Sequence, residues 1–136
     1  MKKSLLLMLF LLLQVTTMSA VVVGDLIKRD GYNYRVTNIP THNVAFVGSD
    51  KSGALNIPAT VKDSTNIEWH VTRIGNNSSV PNATSVTIPS SVNAMETGSL
   101  SGSKLTSIHI PASVTDISDG VFDFSLGLQS ITVDPA

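Results

Sequence analysis

Apolar side chains recur along this chain in two rhythms. From Ala83 onward the rhythm is long. Ala83-Thr-Ser-Val-Thr-Ile-Pro89 is echoed by Leu105-Thr-Ser-Ile-His-Ile-Pro111, and again by Leu128-Gln-Ser-Ile-Thr-Val-Asp134, at offsets of 22 and 23 residues. A period of this length predicts a solenoid, in which each unit is a short strand plus a return segment and neighbouring units share one core. Side chains two apart share a strand face, which puts Ile108 and Ile110 together; these two and Leu105, which heads the phrase, are expected to point inward, and Pro111 ends the ladder because it lacks an N–H. The return segment adds Val114, Ile117, Val121 and Phe122. The unit before it offers Val86, Ile88, Val92, Met95 and Leu100 at matching places. Val71 and Ile74 suggest an earlier, degraded unit whose bulky position falls near Ser79.

Before residue 75 the rhythm is short. Tyr32, Tyr34 and Val36 alternate with Asn33, Arg35 and Thr37, while His42, Val44 and Phe46 alternate across a second run. Asp30-Gly31 between apolar runs is a hairpin signal, Gly48 to Gly53 is a turn cluster, Ala54 to Ile57 is a short strand stopped by Pro58, and Ile67 to Ile74 alternates again. Residues 24–75 are therefore expected to form a small antiparallel sheet that caps one end of the stack. The predicted fold is mainly β: a repeat solenoid with short parallel strands over residues 76–136 (about two and a half units), preceded by an antiparallel β cap over 21–75. The chain stops at Asp134-Pro-Ala136, soon after a third repeat strand begins, so we expect a truncated piece of a longer array.

Residues 1–20 are expected to stand outside the fold. Lys2 and Lys3 precede an unbroken apolar run from Leu5 to Leu13, and more polar, small residues follow up to Ala20. This is the pattern of a secretory signal peptide, and the run falls short of the roughly 20 apolar residues a membrane span needs. Export implies a secreted or cell-surface protein with no membrane insertion after cleavage. The chain has no cysteine, which excludes a lipid-anchored cysteine and any disulfide staple. Removing the two leading lysines leaves seven basic against ten acidic residues, a net charge of −3. No basic patch exists, which argues against a nucleic-acid partner.

The unit Leu105-Thr-Ser-Ile-His-Ile-Pro-Ala-Ser-Val-Thr-Asp-Ile-Ser-Asp-Gly-Val-Phe122 resembles the BspA-type leucine-rich repeat of bacterial surface proteins, whose phrase runs L-T-S-I-x-I-P-x-S-V-T-x-I-G-x-x-A-F. Ser85 to Met95 is a looser copy, with Glu96 where the family often has Gly and Leu100 for Phe. Val71-Thr-Arg-Ile-Gly75 resembles the same phrase. The region from Asp25 to Val71, with its Tyr-rich hairpin and Ile57-Pro58, is similar to the family's N-terminal region. The Cys that usually follows the Phe is absent, and Phe124 and Leu126 occupy that neighbourhood. The resemblance implies adhesion, with host matrix proteins, cell-surface proteins or other bacterial cells as partners. It implies no catalytic residues and no cofactor.

The residues themselves offer little catalytic chemistry. Gly98-Ser-Leu-Ser-Gly102 superficially resembles a nucleophile elbow, but Leu100 stands where the serine belongs. His42, His70 and His109 lack the i,i+4 spacing of zinc ligands, and Asp116, Asp119 and Asp123 around Gly120 lack the alternation of a calcium loop. No catalytic, cofactor or metal site is expected. Asn76-Asn-Ser78, Asn77-Ser-Ser79 and Asn82-Ala-Thr84 match glycosylation acceptors, which in an exported bacterial chain is read as coincidence. The candidate binding face is the outer side of the repeat strands. There Thr84, Thr106 and Gln129 form one column, Ser85, Ser107 and Ser130 a second, and Thr87, His109 and Thr132 a third. His109 is the odd member, since histidine changes charge between about pH 5 and 8. These columns contain no Trp, Tyr or Arg, the usual hot-spot residues, so a featureless solvated face is the competing reading. Three functions follow: an exported, non-enzymatic adhesion module; a structural spacer within a larger surface protein; or a carbohydrate-binding module using the cap aromatics Tyr32, Tyr34, Phe46 and Trp69.

Overall fold

The computed structural model describes residues 19–135. Apart from Ser19 and Ala20, the expected leader lies outside the described residues. Eleven strands and no helix are found among them: β1 (Leu26–Arg29), β2 (Tyr32–Asn38), β3 (Asn43–Ser49), β4 (Gly53–Asn56), β5 (Thr60–Lys62), β6 (Glu68–Ser79), β7 (Ala83–Thr87), β8 (Ala94–Met95), β9 (Ser107–Ile110), β10 (Asp116–Ile117) and β11 (Ser130–Val133). They form two sheets. One runs β1-β2-β3-β6-β8-β10, with β5 added against β6; the other runs β11-β9-β7-β4.

The chain alternates between the sheets. Each passage through both sheets makes one coil: β3 and β4, then β6 and β7, then β8 and β9, then β10 and β11. All sheet neighbours from coil to coil are parallel. The apolar residues of each phrase therefore stack in columns. In the first sheet the ladders set Phe46 beside Ile74, Ile74 beside Met95, and Met95 beside Ile117. In the second, Leu55 lies beside Val86 and Ile108 beside Ile131, while Thr87 opposite His109 puts Val86 level with Ile108.

Burial follows position in the stack. Phe46, Ile74 and Met95 are 0% exposed but Ile117 is 47% exposed; Leu55, Val86 and Ile108 are 1%, 5% and 4% exposed but Ile131 is 49% exposed. Equivalent positions of successive coils are thus buried or open according to whether a further strand covers them. Val133, Phe124 and Leu126 join Ile117 and Ile131 on the open end.

The N-terminal region holds the expected antiparallel strands, and parallel pairing joins it to the stack. Strands β1, β2 and β3 are antiparallel, and so are β5 and β6, but β3 with β6 and β4 with β7 are parallel. Solenoid stacking therefore reaches back to residue 43. The boundary expected between residues 75 and 76 falls inside β6, which pairs on either side with β3 and β8. The physical reason the early coil is hidden is an insertion. Ile88 to Met95 and Ile110 to Ile117 are each seven residues, whereas Ile57 to Ile74 is 17. The extra ten residues fold into β5 and its turn. In the coil of β6 and β7 the bulky position expected near Ser79 is filled by buried Val80.

One backbone position shows how close the first two coils lie. Gly48 in β3 has φ +146° and faces Ser79 of β6; a Cβ there would sit 2.7 Å from the Ser79 carbonyl oxygen. Backbone cannot give way as a flexible side chain would. Gly48→Ala is expected to destabilise the protein by about 1–3 kcal/mol, measured as a lower midpoint in urea unfolding with an unchanged slope.

Candidate functional site

The outer face of the second sheet carries the predicted columns. Ser107 pairs with Ser130, His109 with Thr132, and Thr87 with His109. Strand alternation turns these side chains outward while Val86, Ile108 and Ile110 turn in. Among the nine predicted residues Ser85 is half-buried and the other eight are exposed. The ladders bring together the Ser85–Ser107–Ser130 and Thr87–His109–Thr132 columns. Thr106 and Gln129 precede their strands and are linked by backbone, the Gln129 N–H donating to the Thr106 carbonyl (2.9 Å). Thr84 lies at the start of β7.

Two further column members were not foreseen. Strand β4 adds Ala54 beside Ser85 and Asn56 beside Thr87. The signal was present, since Ala54-Leu-Asn-Ile-Pro58 has the same alternation as Ser85-Val-Thr-Ile-Pro89. It lies 31 residues away rather than 22, so a fixed-period comparison passes over it.

His109 organises the far end of the face. Its Nδ1 lies 3.1 Å from the Thr132 hydroxyl and its Nε2 lies 3.2 Å from an Asp134 carboxylate oxygen. Asp134 was also missed. It stands where the two earlier repeats have Pro89 and Pro111; having an N–H, it extends the ladder by donating to the Ile110 carbonyl (3.0 Å). Ring and carboxylate are both about half-exposed, so the pair adds at most about 1 kcal/mol to stability and serves mainly to fix the imidazole.

Among the described residues no three His, Asp or Glu side chains converge as metal ligands. Asp116, Asp119 and Asp123 are exposed, and Leu100 of the glycine-flanked loop is fully buried. Asn76 and Asn77 are exposed and Asn82 is half-buried. The cap aromatics Tyr32, Tyr34, Phe46 and Trp69 are all buried. Tyr32, Tyr34 and Phe46 form an edge-packed cluster with centroids 6.1–6.4 Å apart, and the Lys51 ammonium sits 4.5 Å from the Tyr32 ring centre. Their rings serve the core and leave no exposed aromatic platform for a sugar. Burial, followed by neighbouring Tyr32 and the Asp30 carboxylate, pushes the Tyr34 hydroxyl well above the ordinary tyrosine range, so it stays protonated.

Parallel strands stacked coil on coil, with aliphatic columns between two sheets and polar columns outside, define a leucine-rich-repeat β-solenoid. Residues 59–136, which contain the last three of the four coils, match the family described as "BspA type Leucine rich repeat region (6 copies)". The chain belongs to that family.

Solved structures agree on the fold. The chain is similar to a leucine-rich repeat protein from Bacteroides capillosus (TM-score 0.59, 20% identity, 81% of this chain and 99% of that one). It is also similar to the pneumococcal vaccine antigen PcpA (TM-score 0.58, 17% identity), covering 84% of this chain but only 39% of PcpA. No curated protein compared matches the chain.

Proposed function

We propose that the chain is a non-enzymatic binding module displayed at the bacterial cell surface, and that it adheres through the outer face of its second sheet. The supporting observation is the register itself. Four strands hold Asn56, Thr87, His109 and Thr132 in one row about 4.8 Å apart per step, with a parallel row of serines beside it. Such a row is rigid because every side chain stands on a hydrogen-bonded strand, so little entropy is lost on binding. Family membership and the antigen character of PcpA support surface display. Host matrix proteins, host cell-surface proteins and other bacterial cells are the expected partners.

The test is a binding screen of the leader-free protein against immobilised matrix proteins and whole bacterial cells. The combined variant Thr87→Ala, His109→Ala, Thr132→Ala is expected to weaken the strongest interaction about tenfold, roughly 1.4 kcal/mol. An interaction that survives this triple change intact lies elsewhere on the molecule. The spacer reading draws on the lack of Trp, Tyr and Arg in the columns. Inertness against every partner, with more coils encoded downstream, would favour it.

A further inference from the structure

The turn between β10 and β11 carries two apolar side chains that the core does not use. Phe124 is 81% exposed and Leu126 94%, on either side of buried Ser125. Single exposed apolar residues are ordinary. These two differ, because their exposure does not come from lying in the last coil. The preceding coil holds the same turn. Its Ser103 hydroxyl lies 3.0 Å from that of Ser125, so Gly102 and Lys104 correspond to Phe124 and Leu126. Gly102 and Lys104 are exposed although another coil stacks on theirs. These positions face outward from the corner of the solenoid, not along its axis.

The backbone conformation works against the ring. Phe124 has φ +59°, and Gly102 at the same place has φ +65°. Glycine suits this left-handed conformation. The other non-glycine residues that adopt it, among those described, are Asp30, His42, Asn66 and Asn77, of the types that tolerate it best. A phenylalanine there is strained, and such strain clusters at functional positions. The turn is also firmly held. The Ser125 hydroxyl donates to the Leu100 carbonyl (3.0 Å), the Gly102 N–H to the Asp123 carbonyl (2.7 Å) and the Leu128 N–H to the Ser125 carbonyl (3.0 Å). The pair is thus fixed outward before any partner arrives, which lowers the ordering cost of binding.

Charge selects the partner. Exposed Asp119 and Asp123 share this turn, exposed Asp116 precedes it, and no lysine or arginine follows Lys104. We propose that Phe124 and Leu126 anchor a protein partner whose docking surface is an apolar pocket rimmed by lysine or arginine. An aromatic anchor in a pocket carries most of the energy of many interfaces, and the charged rim guides approach. The proposal rests on the reading of the chain as an adhesion module and supplies what the outer face lacks. The turn leads directly into β11, whose outer column begins at Gln129, and those columns contain no aromatic side chain.

The probe is amino-β-cyclodextrin, an apolar cavity rimmed by ammonium groups, with neutral and sulfated β-cyclodextrin as charge controls. Each is added to the leader-free protein and followed by amide-shift NMR. The amino form is expected to shift the Phe124, Ser125 and Leu126 amides at about three- to tenfold lower concentration than the neutral form, with the sulfated form weakest, and high salt should narrow the difference. Phe124→Gly installs the residue of the preceding coil. It should abolish the shifts while leaving the urea midpoint level or higher, because the left-handed strain is relieved. In the adhesion screen it should weaken the strongest interaction about tenfold. Weakening by the combined Thr87→Ala, His109→Ala, Thr132→Ala variant but not by Phe124→Gly would overturn the anchor and leave the outer face standing; the reverse pattern would support the anchor and strike the outer face. Equal binding of all the cyclodextrins, a lowered urea midpoint for Phe124→Gly, or a wild type that adheres to no surface in the screen would also overturn the proposal.

Discussion

Ile108→Ala should lower the free energy of unfolding by about 2–5 kcal/mol, while Ile131→Ala should lower it by about 1 kcal/mol or less. The two isoleucines occupy the same place in consecutive repeats and face each other directly across the β9–β11 ladder. Only their covering differs, since Ile108 is 4% exposed and Ile131 49%. Truncating Ile108 leaves a cavity between coils on both sides. Truncating Ile131 removes a side chain already half in water. Urea unfolding followed by the fluorescence of Trp69, the single tryptophan, measures both. Trp69 lies in β6, two coils from β11, so a shift in its midpoint for Ile108→Ala also shows that the coils unfold together. Equal losses for the two variants would mean that stacking does not set the stability of each coil.

This contrast separates what sequence can and cannot display. The inward positions Val86, Ile88, Ile108 and Ile110 were legible because alternation and a 22-residue echo agree, Leu105 was legible as the apolar head of the phrase, and all are buried. Exposure of Ile117, Ile131 and Val133 was not legible in their own phrase, since it depends on the neighbouring coil. The coil of β3 and β4 was hidden for a different reason. Its strand phrase is intact, but the ten extra residues between Ile57 and Ile74 displace it from the period, and the antiparallel β5 disguises β6 as part of a simple meander. Periodicity detects equal spacing, whereas stacking needs only that a strand return to the edge of the last one, whatever the length of the path between.

The candidate site divides in the same way. Ser107, Ser130, Thr87, His109 and Thr132 follow from alternation alone. Asp134 and Asn56 enter only once the register is known. The cap aromatics Tyr32, Tyr34, Phe46 and Trp69 serve the core, the use that strand alternation favours for most of them, although tyrosine and tryptophan serve ligands as well and composition alone does not distinguish the two.

The inserted loop should also carry a large share of the cap's stability through one carboxylate. Asp63 is 6% exposed. One of its oxygens accepts from the Thr65 N–H (2.8 Å), the Thr65 hydroxyl (2.7 Å) and the Ile67 N–H (3.1 Å), and the other from the indole N–H of buried Trp69 (2.8 Å). Asp63→Ala is expected to cost about 3 kcal/mol or more, because it removes charge-assisted bonds and leaves the indole N–H without a partner in the core. Asp63→Asn should fall between: its carbonyl can still accept from the turn, but its NH₂ then meets the indole donor. Burial alone would raise the Asp63 pKa. The hydrogen bonds from the Thr65 and Trp69 side chains, and then from the Thr65 and Ile67 backbone, outweigh it and hold the carboxyl below the usual aspartate value. The sign follows from linkage. A carboxyl lowered in the folded state contributes its stabilisation in full above the unfolded pKa, near 3.9, and loses it as pH falls through the folded value. Stability should therefore decline with acidification below about pH 4, and the part of that decline due to Asp63 should vanish in Asp63→Asn. Trp69 reports it directly, since its indole N–H donates to the same carboxyl and that bond loses its charge assistance in the same step. An acid limb identical in the wild type and Asp63→Asn would assign the transition to the other carboxylates and leave the loop held by packing alone.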